Sequence, residues 1–153
     1  MSVTIPRSVI IAEARAWLGT PYEHHQHTRG AGTDCGGLIG GIAVAVGSVP
    51  PNWWNTEFAP HAGYSRQPSG GRLLAIMRGF MTEIDPAAAV AGDVVLMRFS
   101  QEPQHVGILV PYALGGLALV HALASEHRVV EHRFADVWRA RVTHAFVFPG
   151  VTA

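Results

Sequence analysis

The segment over residues 34–47 is the strongest structural constraint in the sequence. It combines an apolar stripe with four closely spaced glycines and a fifth at its end, in the order DCGGLIGGIAVAVG. Asp34 is a suitable N-cap and Gly47 a typical terminator, so the pattern predicts a buried helix that begins at Cys35. Each interior glycine costs about 1 kcal/mol relative to alanine in a helix. We therefore expect this helix to pack closely against another part of the backbone, which would offset that cost.

The rest of the sequence indicates helices in its first half and strands in its second half. Apolar spacing predicts helices over residues 7–18 and 72–84. Strands are predicted over residues 94–99, 104–110, 117–122, 127–134 and 142–148. This order indicates an α+β fold, in which one layer of helices packs on a central antiparallel sheet of about five strands. We expect a single domain over residues 1–153, with an irregular insertion rich in Pro, Trp and Asn over residues 48–71.

Composition and charge argue against several classes of function. The 11 basic and 11 acidic residues give a formal net charge of zero, so the chain lacks the basic field of a nucleic-acid-binding protein. No stretch reaches the roughly 18 apolar residues that a membrane-spanning helix needs. The N-terminus lacks the pattern of an export signal, and we therefore expect synthesis in the cytoplasm without a signal peptide.

The single cysteine is the first candidate for chemistry. It cannot form an internal disulfide, so it is either a small buried apolar residue or a reactive thiol. At the start of a helix, Cys35 would feel the positive end of the helix dipole, which favours the thiolate. Asp34 before it and two glycines after it predict a sharp turn that exposes the sulfur beside a free backbone N–H.

Two histidines are the candidates for a base and its partner. The strands over residues 104–110 and 117–122 predict a hairpin in which paired residue numbers add up to about 226. His105 and His121 satisfy this sum, so they would lie opposite each other on one face, about 5 Å apart at Cβ. One imidazole would then accept the thiol proton while the other orients it. The alternative for His121 is a core histidine with a satisfied hydrogen bond.

Several short motifs, taken in order, resemble those of the NlpC-type cell-wall peptidases, which have a papain-like core. The motifs are WLGTPY over residues 17–22, TDCGGL over residues 33–38, GDVV over residues 92–95, HVGI over residues 105–108 and VHA over residues 120–122. The resemblance covers about residues 7–148. It is closest to the short members that are encoded with phage tails and gene-transfer-agent particles.

The resemblance implies a cysteine peptidase or amidase with a Cys-His-His triad, which maps to Cys35, His105 and His121. It also implies that Tyr22 contributes its hydroxyl to the oxyanion site, and that Asp34 helps to bind the amine of the substrate peptide. The implied reaction is hydrolysis of a peptidoglycan stem peptide, typically between D-glutamate and diaminopimelate. No cofactor is implied. The implied partners are tail-tip or baseplate proteins of a phage-like particle, which would carry the enzyme to the periplasm.

Three further positions are assigned to the substrate side of the site. Gly36 follows the nucleophile, where wall hydrolases often have Ser, so recognition there would differ from theirs. Trp53 and Trp54, in the insertion over residues 48–71, would line the cleft with their rings or serve a partner surface.

Other interpretations remain open at this point. His24, His25 and His27 could bind zinc, although their spacing matches no closed site and no metal is expected. The fold could instead serve only assembly, as a non-catalytic tail component. A third possibility keeps the same catalytic residues but makes the chain an acyltransferase or a thioesterase.

Overall fold

The computed structural model describes residues 4–55, 71–99 and 103–151 of the chain. Most of the insertion predicted over residues 48–71 lies outside the described residues. The helices of the described part are α1 (Arg7–Ala16), α2 (Cys35–Ala45), α3 (Arg72–Phe80) and α4 (Asp136–Arg139). The strands are β1 (His27–Thr28), β2 (Gly32–Thr33), β3 (Thr82–Ile84), β4 (Val94–Arg98), β5 (Pro103–Pro111), β6 (Leu117–Leu123), β7 (Arg128–Arg133) and β8 (Val142–Val147). None of the described helices has the length and apolar character to cross a membrane.

The α+β architecture is confirmed, and the sheet is larger than predicted. It has six antiparallel strands in the order β3-β8-β4-β5-β6-β7, so only β4 to β7 form a simple meander. The additional strand is β3, a segment that the apolar spacing had assigned to the end of a helix. The helix ends at Phe80 because Met81 is already extended, and Thr82–Ile84 then pair with β8. Helical spacing alone could not show this change of conformation.

The two faces of the sheet are covered differently. On one face, α1, α2 and α3 bury a large apolar cluster that includes Ile39, Ile42, Val106 and Ile108. On the other face, a smaller cluster contains Leu109 and Phe134, with Trp138 of α4 packed against it. Residues of β5 therefore alternate between a face covered by three helices and a face with the smaller apolar cluster.

The glycines of α2 have the close contacts that their number predicted, but only one of these contacts is with backbone. A Cβ atom at Gly37 would collide with the carbonyl oxygen of Gln26. At Gly40 and Gly41 it would collide instead with indole rings, those of Trp53 and Trp54 at Gly40 and that of Trp17 at Gly41. Asp34 caps the helix as predicted, accepting a hydrogen bond of 2.7 Å from the Gly37 N–H.

The β5–β6 hairpin has a different register from the predicted one. Ile108 pairs with Val120 and Val110 with Ala118, so paired numbers add up to 228 (108 + 120 and 110 + 118) rather than 226. Continuing this register places Gly107, not His105, opposite His121. The shift is of two residues, which preserves the face on which each side chain lies. His105 and His121 are therefore diagonal neighbours on one face. Gly107 makes room between them, since a Cβ atom there would lie 3.1 Å from the Cβ of His121.

Candidate active site

A cleft of about 360 Å³ opens where α2 begins and where β5 starts beside the end of β6. Two of the predicted catalytic residues, Cys35 and His105, line it together. The other lining residues are Tyr22, His24, Phe99, Gln104, Ala122, Leu123, Ala124, Ser125 and Trp138. The cleft therefore brings a helix start and a sheet end to one place, although Cys35 and His105 are 70 residues apart (105 − 35) in the sequence.

Cys35 is the first residue of α2 and is only 7% exposed. Its sulfur lies within hydrogen-bonding reach of the backbone N–H groups of Val106 and Gly36 and of its own N–H. Burial, and to a smaller extent the Asp34 carboxylate, nevertheless raise the pKa of the thiol to about 12 against the effect of these hydrogen bonds. The expectation that the helix start favours the thiolate is therefore wrong for this structure. Loss of solvation has the larger effect, and the resting sulfur is a neutral thiol.

His105 lies in β5, directly before the residue whose N–H reaches the sulfur. Its imidazole is almost fully buried and packs at a ring-centroid distance of 5.1 Å from Phe99. Burial lowers the pKa of His105 to about 4, so the ring is neutral at neutral pH. A neutral imidazole beside a thiol is able to accept its proton.

His121 is completely buried behind His105. The Nδ1 atom of His121 lies 2.7 Å from Nε2 of His105, which is the base–partner contact that the hairpin predicted. Burial is the main cause that lowers the pKa of His121 to about 2, followed by the neighbouring His105 and His132. Trp138 covers this ring edge to face at a centroid distance of 4.9 Å. His121 is thus held as a neutral, water-shielded hydrogen-bonding partner.

A third imidazole was not predicted from the sequence. His132 of β7 places its Nε2 atom 2.8 Å from Nε2 of His121. In the β6–β7 ladder Leu119 pairs with His132 and His121 with Val130, so His132 is a diagonal neighbour of His121 on the same face. The alternation along residues 127–134 was too weak to fix that register in advance. Three residues that line the cleft likewise gave no signal in the sequence: Phe99, Gln104 and Trp138.

Tyr22, Asp34 and Gly36 differ in their access to the cleft. Tyr22 is half-buried and lines it, as an oxyanion donor must. Asp34 is buried and outside the lining, and its carboxylate accepts hydrogen bonds from the N–H groups of Gly37 and, at 2.8 Å, of His25. Gly36 is also buried within α2 and outside the lining. Asp34 therefore holds the loop before Cys35 in place, and its contact with a substrate amine stays a prediction.

The two tryptophans of the insertion lie elsewhere. Trp53 is 2% exposed and packs in the core, with its ring centroid 4.7 Å from that of Phe80. Trp54 stacks on His27 at a centroid distance of 3.6 Å. Neither ring is among the side chains that line the cleft, because both pack at the place of the missing side chain of Gly40. Their role toward a substrate or a partner stays a prediction.

The three histidines that precede β2, which are His24, His25 and His27, have different surroundings. His24 lines the cleft and stacks on His25, with ring centroids 3.8 Å apart, whereas His27 is stacked on Trp54. Across the described ranges, no group of three His, Cys, Asp or Glu side chains is arranged to hold a metal ion.

Comparison with known proteins places this arrangement in a family. The model of the NlpC/P60 family matches residues 19–147, which contain Cys35, His105 and His121. No curated protein sequence matches the chain.

Solved structures show the same fold at low sequence identity. The NlpC/p60 domain of the peptidoglycan hydrolase SagA is 21% identical with a TM-score of 0.61, and the match covers 92% of this chain and 97% of that one. An NlpC/P60 family protein from Bacillus cereus is 17% identical with a TM-score of 0.65, covering 95% of this chain but 41% of that longer one. An N-acetylmuramoyl-L-alanine amidase from Bacteroides uniformis is 12% identical with a TM-score of 0.54, covering 92% and 96%. Because the family model spans most of the sequence and the fold agrees with it, this chain belongs to the NlpC/P60 family.

Proposed function

We propose that the chain is a cysteine peptidase or amidase that hydrolyses an amide bond in peptidoglycan stem peptides. The observation that supports this most directly is the shared cleft of Cys35 and His105, with His105 hydrogen-bonded to the buried His121. Membership of the NlpC/P60 family supports the same activity, and the similar structures include a named peptidoglycan hydrolase and a named amidase.

The reaction begins from a neutral thiol and a neutral imidazole. Because burial raises the pKa of Cys35 and lowers that of His105, an ion pair is not the resting state. As the sulfur attacks the substrate carbonyl carbon, its proton passes to His105, at the ring nitrogen that is not bonded to His121. The imidazolium then protonates the leaving amine, and an acyl-enzyme remains on Cys35. Water, deprotonated by His105, hydrolyses this thioester and restores the thiol.

The carbonyl oxygen becomes negatively charged during each attack, and hydrogen-bond donors at the cleft would stabilise it. Tyr22 lines the same cleft as Cys35, and the backbone N–H of Cys35 lies next to the sulfur. We assign the oxyanion site to these two groups. Loss of one such donor typically lowers kcat by about a hundredfold or more.

The substrate and setting are assigned by resemblance. The favoured bond is that between D-glutamate and diaminopimelate, and the favoured setting is a phage-like particle whose tail-tip or baseplate proteins deliver the enzyme to the periplasm. A non-catalytic tail component is less well supported, since it would not need a buried imidazole pair beside a thiol. An acyltransferase or thioesterase would use the same three side chains.

Digestion of purified peptidoglycan, read by mass spectrometry, tests the proposal. We expect wild-type protein to release fragments with a new amine and a new carboxylate, and Cys35→Ala and Cys35→Ser to release none while keeping the wild-type circular dichroism spectrum. We expect His105→Gln to lose more activity than His121→Gln, because His105 takes the proton and His121 only orients it.

The outcomes separate the candidates clearly. Digestion that survives Cys35→Ala would reject Cys35 as the nucleophile. Hydrolysis of a thioester substrate without any peptidoglycan product would support the thioesterase instead. Loss of folding in both Cys35 variants would show that the thiol is a structural core residue.

A further inference from the structure

Three imidazoles and one carbonyl oxygen form a continuous hydrogen-bonded row across strands β5, β6 and β7. Nε2 of His105 contacts Nδ1 of His121 at 2.7 Å, and Nε2 of His121 contacts Nε2 of His132 at 2.8 Å. At the far end, Nδ1 of His132 lies 2.9 Å from the backbone oxygen of Arg133. The row therefore begins at a side chain that lines the cleft and ends at a group that can only accept a hydrogen bond.

The carbonyl oxygen of Arg133 fixes which ring nitrogen carries the hydrogen in each of the three neutral imidazoles. Because it has no hydrogen to give, the Nδ1 atom of His132 must carry one, which leaves Nε2 of a neutral His132 as an acceptor. His121 must then donate from Nε2, which leaves its Nδ1 as an acceptor. His105 in turn donates from Nε2. The remaining nitrogen, Nδ1 of His105, is therefore without a hydrogen.

We propose that His132 is a positioning residue, which fixes the proton positions of His121 and His105 so that Nδ1 of His105 is the free base. This inference rests on the proposed function of Cys35 and His105. The Arg133 carbonyl sets the direction of the row, and His132 transmits it to the buried pair. His132 itself is not among the residues that line the cleft.

The surroundings of the row favour a fixed direction. His121 is 0% exposed, so water cannot supply an alternative partner for its Nε2–H. Trp138 packs against both His121 and His132, at centroid distances of 4.9 Å and 5.2 Å. Reversing the row would place a bare nitrogen of His132 against the Arg133 carbonyl, with two acceptors facing each other. Without His132, the hydrogen bond between His105 and His121 could run in either direction. Only the direction in which His105 donates leaves Nδ1 of His105 ready to accept a proton.

The test compares two substitutions at His132. In His132→Gln, the side-chain carbonyl oxygen can take the place of Nε2 and still accept a hydrogen bond from His121. In His132→Phe, the ring shape is kept but the acceptor is lost, which leaves a buried N–H unpaired. We expect His132→Phe to lower kcat about tenfold with KM unchanged, since an unpaired buried donor is unfavourable and the reactive tautomer of His105 is then no longer held in place. We expect His132→Gln to retain most of the wild-type kcat.

A second readout does not depend on turnover. In ¹⁵N-labelled protein, imidazole nitrogen shifts distinguish a protonated from a bare nitrogen. We expect wild-type His105 to carry its hydrogen on Nε2, His132→Gln to keep that state, and His132→Phe to give a mixture of tautomers. His144→Phe, a change of a half-buried histidine outside the row, is the control and is expected to leave both readouts at wild-type values.

Two results would overturn the positioning role. One is a His132→Phe protein with wild-type kcat and an unchanged His105 tautomer, and the other is wild-type His105 protonated on Nδ1. If wild-type protein shows no hydrolysis at all, the proposed function fails, whereas the nitrogen shifts still decide the direction of the row.

Discussion

At the scale of single residues, the site depends on keeping two imidazoles neutral. His105 and His121 are buried among aromatic rings, and burial lowers the pKa of His105 to about 4 and that of His121 to about 2. In the unfolded chain both rings would titrate near pH 6.5. The native state is therefore unable to take up protons that the unfolded chain binds readily, which links the catalytic arrangement to acid sensitivity.

We expect the free energy of unfolding to fall as the pH falls below 6.5. Each group has a lowered pKa in the folded protein, so its contribution is complete above pH 6.5 and is lost as the pH approaches 4 and then 2. At pH 5.5 the loss is about 1.4 kcal/mol for each ring, or about 3 kcal/mol for the pair. Urea unfolding at pH 7.5 and pH 5.5 measures it.

Two variants identify the source of this pH dependence. His105→Gln removes one buried imidazole and should reduce the pH-dependent change by about half. His127→Asn removes an exposed imidazole at a residue with positive φ, which Asn tolerates, and should leave the change intact. Equal pH dependence in His105→Gln and wild type would contradict the argument.

Sequence reasoning predicted which candidate catalytic residues lie together, but not their electrostatics. The lone Cys35 with a glycine-rich helix start, and the hairpin parity of His105 and His121, were visible as local patterns. The raised pKa of the thiol was not, because it depends on burial by residues distant in the sequence. His132 was missed for the same reason, since its contact with His121 depends on the register of two strands.

At the scale of elements, α2 is held by side chains that fill the places of its missing Cβ atoms. Gly41 accepts the indole of Trp17, while the surface glycine of α3, Gly79, has no atom within 4 Å of the position of a Cβ. These two glycines have the same unfavourable helix propensity, but only Gly41 is in close contact with another side chain. They therefore separate the effect of helix propensity from the effect of close contact.

We expect Gly41→Ala to lower the free energy of unfolding by about 2 kcal/mol, because the added methyl group overpacks the core against Trp17. We expect Gly79→Ala, the control, to raise it by up to about 1 kcal/mol through helix propensity alone. Urea unfolding at neutral pH measures both. A stabilised Gly41→Ala protein would show that the core adapts and that the glycine is not required there.

The sheet elements show where local patterns stop being informative. The positions of β4 to β8 were predicted within a few residues, since alternation and turn residues are local signals. The conversion of residues 82–84 from helix to strand was not predicted, because their pairing partner lies in β8, more than 60 residues later (82 to 147). The hairpin offset of two residues has a different origin, since it depends on the geometry of the turn between β5 and β6 rather than on side-chain pattern.

At the scale of the whole molecule, one buried ion pair joins the first helix to the central sheet. The Arg7 guanidinium, in the first turn of α1, donates to the Asp93 carboxylate just before β4. Asp93 is 1% exposed and Arg7 is 23% exposed. The second carboxylate oxygen accepts a hydrogen bond of 2.9 Å from the Val90 N–H. This contact closes the helix layer onto the sheet across 86 residues of sequence.

We expect Arg7→Leu to lower the free energy of unfolding by about 2 kcal/mol, since it leaves a buried carboxylate without its cation and Arg7 is partly solvated. The double change Arg7→Leu with Asp93→Asn should recover part of that loss. The control is Arg78→Leu, which breaks the exposed pair with Glu83 and should change little. Urea unfolding of the four proteins gives the comparison. Similar losses from the buried and the exposed pair would contradict the role given to Asp93.

The depth of Cys35 also restricts what can reach it. A sulfur that is only 7% exposed and lines a cleft of about 360 Å³ is reached only by a chain that is thin and flexible enough to enter that cleft. Compactly folded domains present their backbones in helices and sheets and are too broad to enter. Under the proposed function, such a site would spare the enzyme's own copies and the proteins around it while cutting a loose, cross-linked mesh.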